Sequence, residues 1–456
     1  MVQGDPAGRA DEDDESVGDA GRAPAVALGA VPSPPAVSVD VLVVGAGPAG
    51  STAAITLARA GRSVMVVDKA VFPRDKCCGD GLTTLALREL EAIGLRPDRV
   101  PNWQTVDEAW LRSPSGREVR LAMPADGIYA ATAPRRELDA ALVELAREAG
   151  ADVREGHAIE AIRHFDDRVD VTISGTGPRD VTGGVTGDVT GDVTGDVTVT
   201  AAFVFAADGM WSPTRKLLGL AEDGYLGEWH AFRQYARNVT GPAAERLYVW
   251  FEPDLLPGYA WSFPLPDGRV NLGFGVMRDG TRSGKDLNAK WDSLFERRHI
   301  RDALGPDVEL EGRHAAWPIP AGIDRAVLSA GRTLFLGDAA RATDVMTGEG
   351  IGQAVLTGRL AAQAVLDNRP SDAEGVRKEY EAAVRQHLFA DHRMSRVLNR
   401  MLASPFLTRG AVRIVGLSGW TRRNVARWMF EDEPRAVLFT PKRWHRSFFR
   451  KHGTYR

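Results

Sequence analysis

The segment Gly45-Ala46-Gly47-Pro48-Ala49-Gly50 constrains this chain more than any other, because of what flanks it. Before it, the largely apolar run Val39 to Val44 has the character of a strand buried on both faces. After it, Ala49 to Ala60 carries the small apolar residues of a packed helix, and Arg62 to Val67 reads as a second strand. Strand, turn, helix, strand is a βαβ unit, and it predicts a parallel sheet covered by helices. In a G-x-G-x-x-G turn the glycines permit a tight bend and let the backbone approach a pyrophosphate at the helix N-terminus. Asp68, followed by Lys69, closes the second strand where a carboxylate accepts ribose hydroxyls. The candidate dinucleotide-binding residues here are Gly45, Gly47, Pro48, Ala49, Gly50, Asp68 and Lys69. An acidic residue at 68 disfavours a 2′-phosphate, so NAD or FAD is preferred over NADP.

Two later segments separate NAD from FAD. Ala206-Ala207-Asp208-Gly209-Met210-Trp211-Ser212 follows the apolar strand Ala202 to Phe205, and Leu334-Phe335-Leu336-Gly337-Asp338-Ala339-Ala340 ends another strand before a helix. A carboxylate at 338 suits ribityl hydroxyls, and the N-terminus of the following helix suits the flavin edge where charge develops on reduction. In this order and spacing the three segments resemble the flavoprotein hydroxylase superfamily that shares the p-hydroxybenzoate hydroxylase fold, over about Val39 to Leu366. That resemblance implies FAD, with Asp208, Gly209, Gly337, Asp338, Gly348, Gly350 and Ile351 among its contacts.

Four further segments narrow the resemblance. Phe72 to Leu82 contains Pro73-Arg74-Asp75-Lys76-Cys77-Cys78-Gly79-Asp80-Gly81, and Tyr259-Ala260-Trp261-Ser262-Phe263-Pro264 matches a Y-x-W-x-F-P pattern. Thr347-Gly348-Glu349-Gly350-Ile351 and the Arg135 to Asp139 helix start complete a set similar to the geranylgeranyl reductase family. One departure is Val345, where that family carries proline, and it leaves the flavin edge less well defined. The resemblance implies reduction of isolated C=C bonds in prenyl chains, with hydride from reduced flavin N5 to one carbon and a proton to the other. It also implies that Cys78, rather than Cys77, lies near the reactive face, and that Lys76 and Arg135 contact the cofactor or substrate. Asp80 is expected to order the loop.

The chemistry that the resemblance implies would be favoured by aromatic faces and a dry pocket. Tyr259, Trp261 and Phe263 stand at i, i+2 and i+4, so on a strand all three face one side. They wall a substrate tunnel, or else form an aromatic core face. Cys78, Tyr259 and Trp261 are the candidate catalytic residues, with Cys78 as an ordinary buried thiol the alternative. A monooxygenase or halogenase of the same fold is the rival activity. Neither an H-E-x-x-H nor a paired C-x-x-C occurs, so no metal is expected. There is also no second Gly-rich βαβ unit, so NAD(P)H or another electron carrier is expected to visit only transiently.

The expected architecture is α/β (α+β): a Rossmann-like FAD-binding domain, an antiparallel-sheet substrate domain and a helical C-terminal region. Residues 1–37 read as a disordered tail without a signal peptide's basic and apolar blocks. The FAD-binding domain is assigned to 38–105, 133–220 and 326–370, the substrate domain to 106–132 and 221–325, and the helical region to 371–456. Three copies of Val-Thr-Gly-Asp within 181–200 read as an expanded hairpin tip. The helix after the Gly337 turn is placed from Gly348 to Leu366.

Two cysteines and a formal net charge of -4 point to a reducing, cytoplasmic compartment and away from nucleic acid. No apolar run is long enough to span a bilayer. From Lys442 the chain interleaves basic and aromatic residues, a candidate peripheral contact with the inner face of the membrane. The partner expected is a prenyl lipid or another hydrophobic small molecule.

Overall fold

The computed structural model describes residues 37–175, 197–278, 280, 284–437, 440–441 and 451–456. Residues 1–36 of the expected N-terminal tail, the expected tip of the Val-Thr-Gly-Asp hairpin and the basic stretch 442–450 lie outside these residues, whereas Val37, assigned to the tail, opens the first strand.

The strand Val37–Val44 sits at the middle of an eight-stranded sheet, with Val197–Ala206 and Val64–Asp68 parallel to it on either side. Thr333–Phe335 extends the parallel set at one edge and Asp152–Glu155 at the other. Val41, Leu42 and Val43 are fully buried, as a strand covered on both faces requires. The helix Pro48–Arg59 starts with proline at its first turn, where the missing N–H is harmless. It packs on the long helix Ile351–Asp367 so closely that a Cβ at Gly358 would lie 2.2 Å from the Ala49 carbonyl oxygen. Small residues on both helices thus bring the two helix starts, and the turns before them, to one end of the sheet. The strands Val169–Gly175 and Val197–Ala206 pair antiparallel on the two sides of the repeat segment.

A second, seven-stranded sheet is mostly antiparallel. Its central pair is Tyr259–Leu265 against Arg269–Met277, flanked by Trp229–Arg237, Leu247–Trp250 and Glu309–Ile319. The strands Glu108–Arg112 and Glu118–Ala122 complete it. One face is sealed by Trp291 and Leu294 from a helix, packed with Phe232, Trp250 and Phe274. Each such fully buried large side chain stabilises by roughly 1.5–3 kcal/mol. The other face turns toward the first sheet and carries Tyr259, Trp261 and Phe263.

The helices Ala373–Val384, Ala390–Leu402, Pro405–Val415 and Gly419–Met429 form the C-terminal region. It does not stay helical to the end: residues 451–456 form no helix, and Thr454 bridges Ile128. No helix among the described residues is long and apolar enough to cross a membrane.

Candidate active site

A cavity of about 650 Å³ runs between the two sheets and gathers nearly every residue singled out in the sequence. That volume lies within the range of roughly 300–1,000 Å³ usual for small-molecule and cofactor sites. At one end it is lined by Gly45, Gly47, Pro48, Ala49, Asp68 and Lys69. Gly45 adopts φ +101°, and a Cβ there would meet the Ala207 carbonyl oxygen at 2.3 Å, so only glycine fits. Gly50 lies beneath the turn rather than on the cavity wall, and its hydrogen faces the Gly45 carbonyl oxygen. Asp68 accepts the Ala46 N–H at 2.8 Å and the Ala70 N–H at 2.8 Å, which holds the turn and the strand end together.

The middle of the cavity is lined by Asp208, Gly209, Gly337 and Asp338. Asp208 accepts the Thr214 N–H at 2.8 Å with one oxygen, while its buried Oδ1 has no partner. Burial pushes its carboxyl above the usual range. A buried oxygen without a partner beside a tight glycine turn is the kind of group a bound ligand satisfies. The residues therefore fit a flavin dinucleotide: a pyrophosphate turn, two strand-end carboxylates and an orphaned acceptor along one groove.

The far end holds the Cys78 loop and the aromatic strand. Tyr259, Trp261 and Phe263 do share one side and all line the cavity. Gly273 makes room for this row, since a Cβ there would lie 2.1 Å from the Trp261 ring. Trp261 Nε1 donates to Asn271 Oδ1 at 3.0 Å, and Asn271 Nδ2 donates to the Cys78 carbonyl and to Asp80 Oδ2, each at 2.8 Å. Asp80 is fully buried at φ +62° and also accepts from the Tyr235 hydroxyl at 2.6 Å and the Arg135 N–H at 3.1 Å. One carboxylate thus ties the loop to the aromatic sheet and to the start of helix Arg135–Glu148. Burial raises its pKa to about 6 against these stabilising bonds.

Cys78 and Cys77 both line the cavity. Burial pushes the Cys78 thiol up to about 12, despite the nearby Arg135 guanidinium, and the Cys77 thiol up to about 11. Both are proton-bearing thiols rather than thiolates at neutral pH. Arg135 pairs with Asp139 through two 2.8 Å bonds, and Arg74 joins the same carboxylate at 2.8 Å. Lys76 lies 4.2 Å from the centre of the Trp317 ring, and burial lowers its pKa although Asp338 faces it. Arg74, from the same segment as Lys76, and Trp317 line the cavity too, and nothing in the local sequence of Trp317 marks it.

The flavin-edge turn differs from expectation. The helix begins at Ile351 rather than Gly348, because Gly348 sits at φ +72° and Glu349 folds back on the chain. Glu349 Oε1 accepts the N–H groups of Ile351 and Gly352, both at 3.0 Å, so a side chain already caps that helix. Burial, with Glu431 close by, raises Glu349 to about 8, and burial takes Glu431 to about 7. Asp344 staples the turn by accepting from Met346 N–H at 3.0 Å and Thr347 N–H at 2.9 Å, with Ser395 donating at 2.6 Å. Val345 causes no disruption: it is buried, and its carbonyl accepts from Trp229 and Asn399. Glu349 was visible inside the Thr347 to Ile351 motif. Glu431 comes from a segment 82 residues further on, with no local signal.

Comparison with known proteins agrees with this geometry. Residues 38–358 match the family described as FAD binding domain. The menaquinone reductase of Mycobacterium tuberculosis is 34% identical over 348 residues, covering 73% of this chain and 77% of that protein. Digeranylgeranylglycerophospholipid reductase 1 of Methanopyrus kandleri is 31% identical over 334 residues, covering 72% of this chain and 80% of that protein. The structure of a geranylgeranyl bacteriochlorophyll reductase-like protein from Thermoplasma acidophilum superposes with a TM-score of 0.73 at 23% identity, over 90% of this chain and all of that one. The chain belongs to the geranylgeranyl reductase family of FAD-dependent oxidoreductases.

Proposed function

We propose that this enzyme reduces an isolated C=C bond in a prenyl lipid, either a geranylgeranyl group or the side chain of a polyprenyl quinone. The observation that carries this reading is the continuity of the cavity from the dinucleotide turn to a wall of Tyr259, Trp261 and Phe263 with Cys78 beside it. FAD, once reduced, supplies hydride from N5. An isolated alkene has no carbonyl to polarise it, so hydride delivery needs a proton donor at the neighbouring carbon and a site that tolerates developing positive charge. Aromatic faces do the second by their negative quadrupole, and they exclude water.

Cys78 supplies the first in this reading, its Sγ holding a proton that burial prevents from leaving to solvent. Tyr259 donates its hydroxyl hydrogen to the Thr347 carbonyl, which fixes the ring at the start of the flavin-edge turn. Trp261 is fixed likewise through Asn271. Lys76 and Arg135, with Gly348, Gly350 and Ile351, hold the cofactor. NAD(P)H or another carrier brings electrons transiently, and the enzyme works from the cytoplasmic side in peripheral contact with the membrane.

An anaerobic half-reaction tests the reading. Photoreduced enzyme mixed with a prenyl lipid should reoxidise without oxygen, and the product should be heavier by two hydrogens. A strict requirement for oxygen or halide sinks it in favour of a monooxygenase or halogenase.

A further inference from the structure

From His392 to Phe430 the chain contains eight arginines and neither Asp nor Glu. The same stretch forms three successive helices whose outer face is apolar. Seven of the thirteen exposed large apolar side chains among the described residues lie between Val397 and Trp420. Four of them are mostly in solvent: Phe406 is 78% exposed, Trp420 70%, Leu417 68% and Ile414 59%. Exposed apolar residues scattered singly are ordinary, but a concentration of this kind marks an interaction surface. Arg393, Arg400, Arg409, Arg413 and Arg423 are exposed among them, and none of these five has an acidic partner among the described residues.

We infer that this three-helix face docks on the surface of an anionic lipid bilayer, with Phe406 and Trp420 entering the headgroup layer and the arginines meeting lipid phosphates. Rings and aliphatic groups at the boundary with cations around them are the two components of interfacial binding. A groove of about 510 Å³ adjoins the face, lined by Arg117, Arg120, Arg422 and Arg423 around Glu118, and it offers a place for phosphate headgroups. A second copy of the chain fits the face poorly. A two-fold contact would set one acid-free arginine surface against another.

The position of the face gives it a purpose. Leu402, on the same helix as Met401, lines the main cavity, and so do Met429 and Phe430 at the end of the third helix. The first and third of the helices that meet the bilayer therefore also contribute to the wall of the substrate site. This assigns to a specific surface the membrane contact proposed above, and it moves that contact away from the stretch after Lys442.

The test uses the full-length, FAD-loaded protein sedimented with vesicles of phosphatidylcholine alone or with one quarter phosphatidylglycerol. Binding should require the anionic lipid. Phe406→Ser with Trp420→Ser should abolish it while leaving the flavin spectrum and thermal midpoint unchanged. Arg409→Gln, Arg413→Gln and Arg423→Gln together should weaken it by about a hundredfold, from roughly fivefold per arginine. Wild-type protein that binds neutral vesicles equally well, or not at all, overturns the proposal. So do variants that bind like wild type, loss of binding on removing residues after Lys442 alone, and a dimer in light scattering that the Phe406/Trp420 variant dissociates. Vesicle binding is read without turnover, so this result and the anaerobic reduction succeed or fail independently.

Discussion

Gly47→Ala separates what the fold needs from what the cofactor needs. Gly47 sits at φ -73°, a backbone any residue adopts, and caps the helix Pro48–Arg59. A Cβ built there meets only the Arg74 guanidinium, at 3.9 Å, which is ordinary contact. The methyl group would otherwise point into the cavity that Gly47 lines. Stability of the FAD-free chain should change by less than about 0.5 kcal/mol, because the reduced freedom of the unfolded chain offsets a slightly poorer cap. FAD affinity should fall, since a methyl forced into a close-packed contact costs about 1–3 kcal/mol, or roughly fivefold to 150-fold. Gly50→Ala is the contrasting control: its Cβ would lie 1.9 Å from the Gly45 carbonyl oxygen, so the free chain should lose stability as well. Urea unfolding of the FAD-free proteins and fluorescence titration with FAD measure the two quantities. If Gly47→Ala binds FAD as tightly as the wild type, the pyrophosphate does not approach this turn, and the dinucleotide assignment of the cavity end is wrong.

Glu349→Gln should flatten the pH dependence of stability. The folded carboxyl is raised from 4.5 to about 8, so its stabilising contribution is complete below the unfolded value and is lost as the pH rises toward 8. Between about pH 5 and pH 7 the wild type should lose about 2.5 kcal/mol that the variant keeps, as read by urea unfolding at matched FAD concentration. Equal slopes for the two proteins refute the buried acid. Iodoacetamide at about pH 8 should alkylate Cys78 roughly a thousandfold more slowly than an ordinary thiol, because burial holds it at about 12; rapid labelling by mass spectrometry would contradict that. Asp80→Ala should destabilise the protein by about 3 kcal/mol, leaving the donors Tyr235, Asn271 and the Arg135 N–H unpaired. Asp80→Asn should cost less, since asparagine tolerates the left-handed backbone and keeps an acceptor.

Much of the site was legible in sequence because its parts obey local rules. The Gly45 to Gly50 turn is recognisable since a strand, a tight bend and a helix must follow one another there, and Asp68 falls where the next strand ends. The row of Tyr259, Trp261 and Phe263 follows from the two-residue period of a strand alone. The residues that complete the site obey no such rule. Glu431 reaches Gln353 and the neighbourhood of Glu349 only because the last helices fold back over the start of helix Ile351–Asp367. Trp317 comes under Lys76 from the opposite edge of the second sheet. The helix start at Ile351 could not be placed from its motif, because a side-chain carboxyl, not the backbone, satisfies its first N–H groups. Sequence determined which dinucleotide turn and which aromatic strand this protein has, through periodicity and backbone sterics. Tertiary packing alone decided that they face one cavity, which acids are buried there, and that helices with an arginine-rich, apolar outer face lend Leu402, Met429 and Phe430 to its wall, because burial and charge pairing depend on contacts between distant segments.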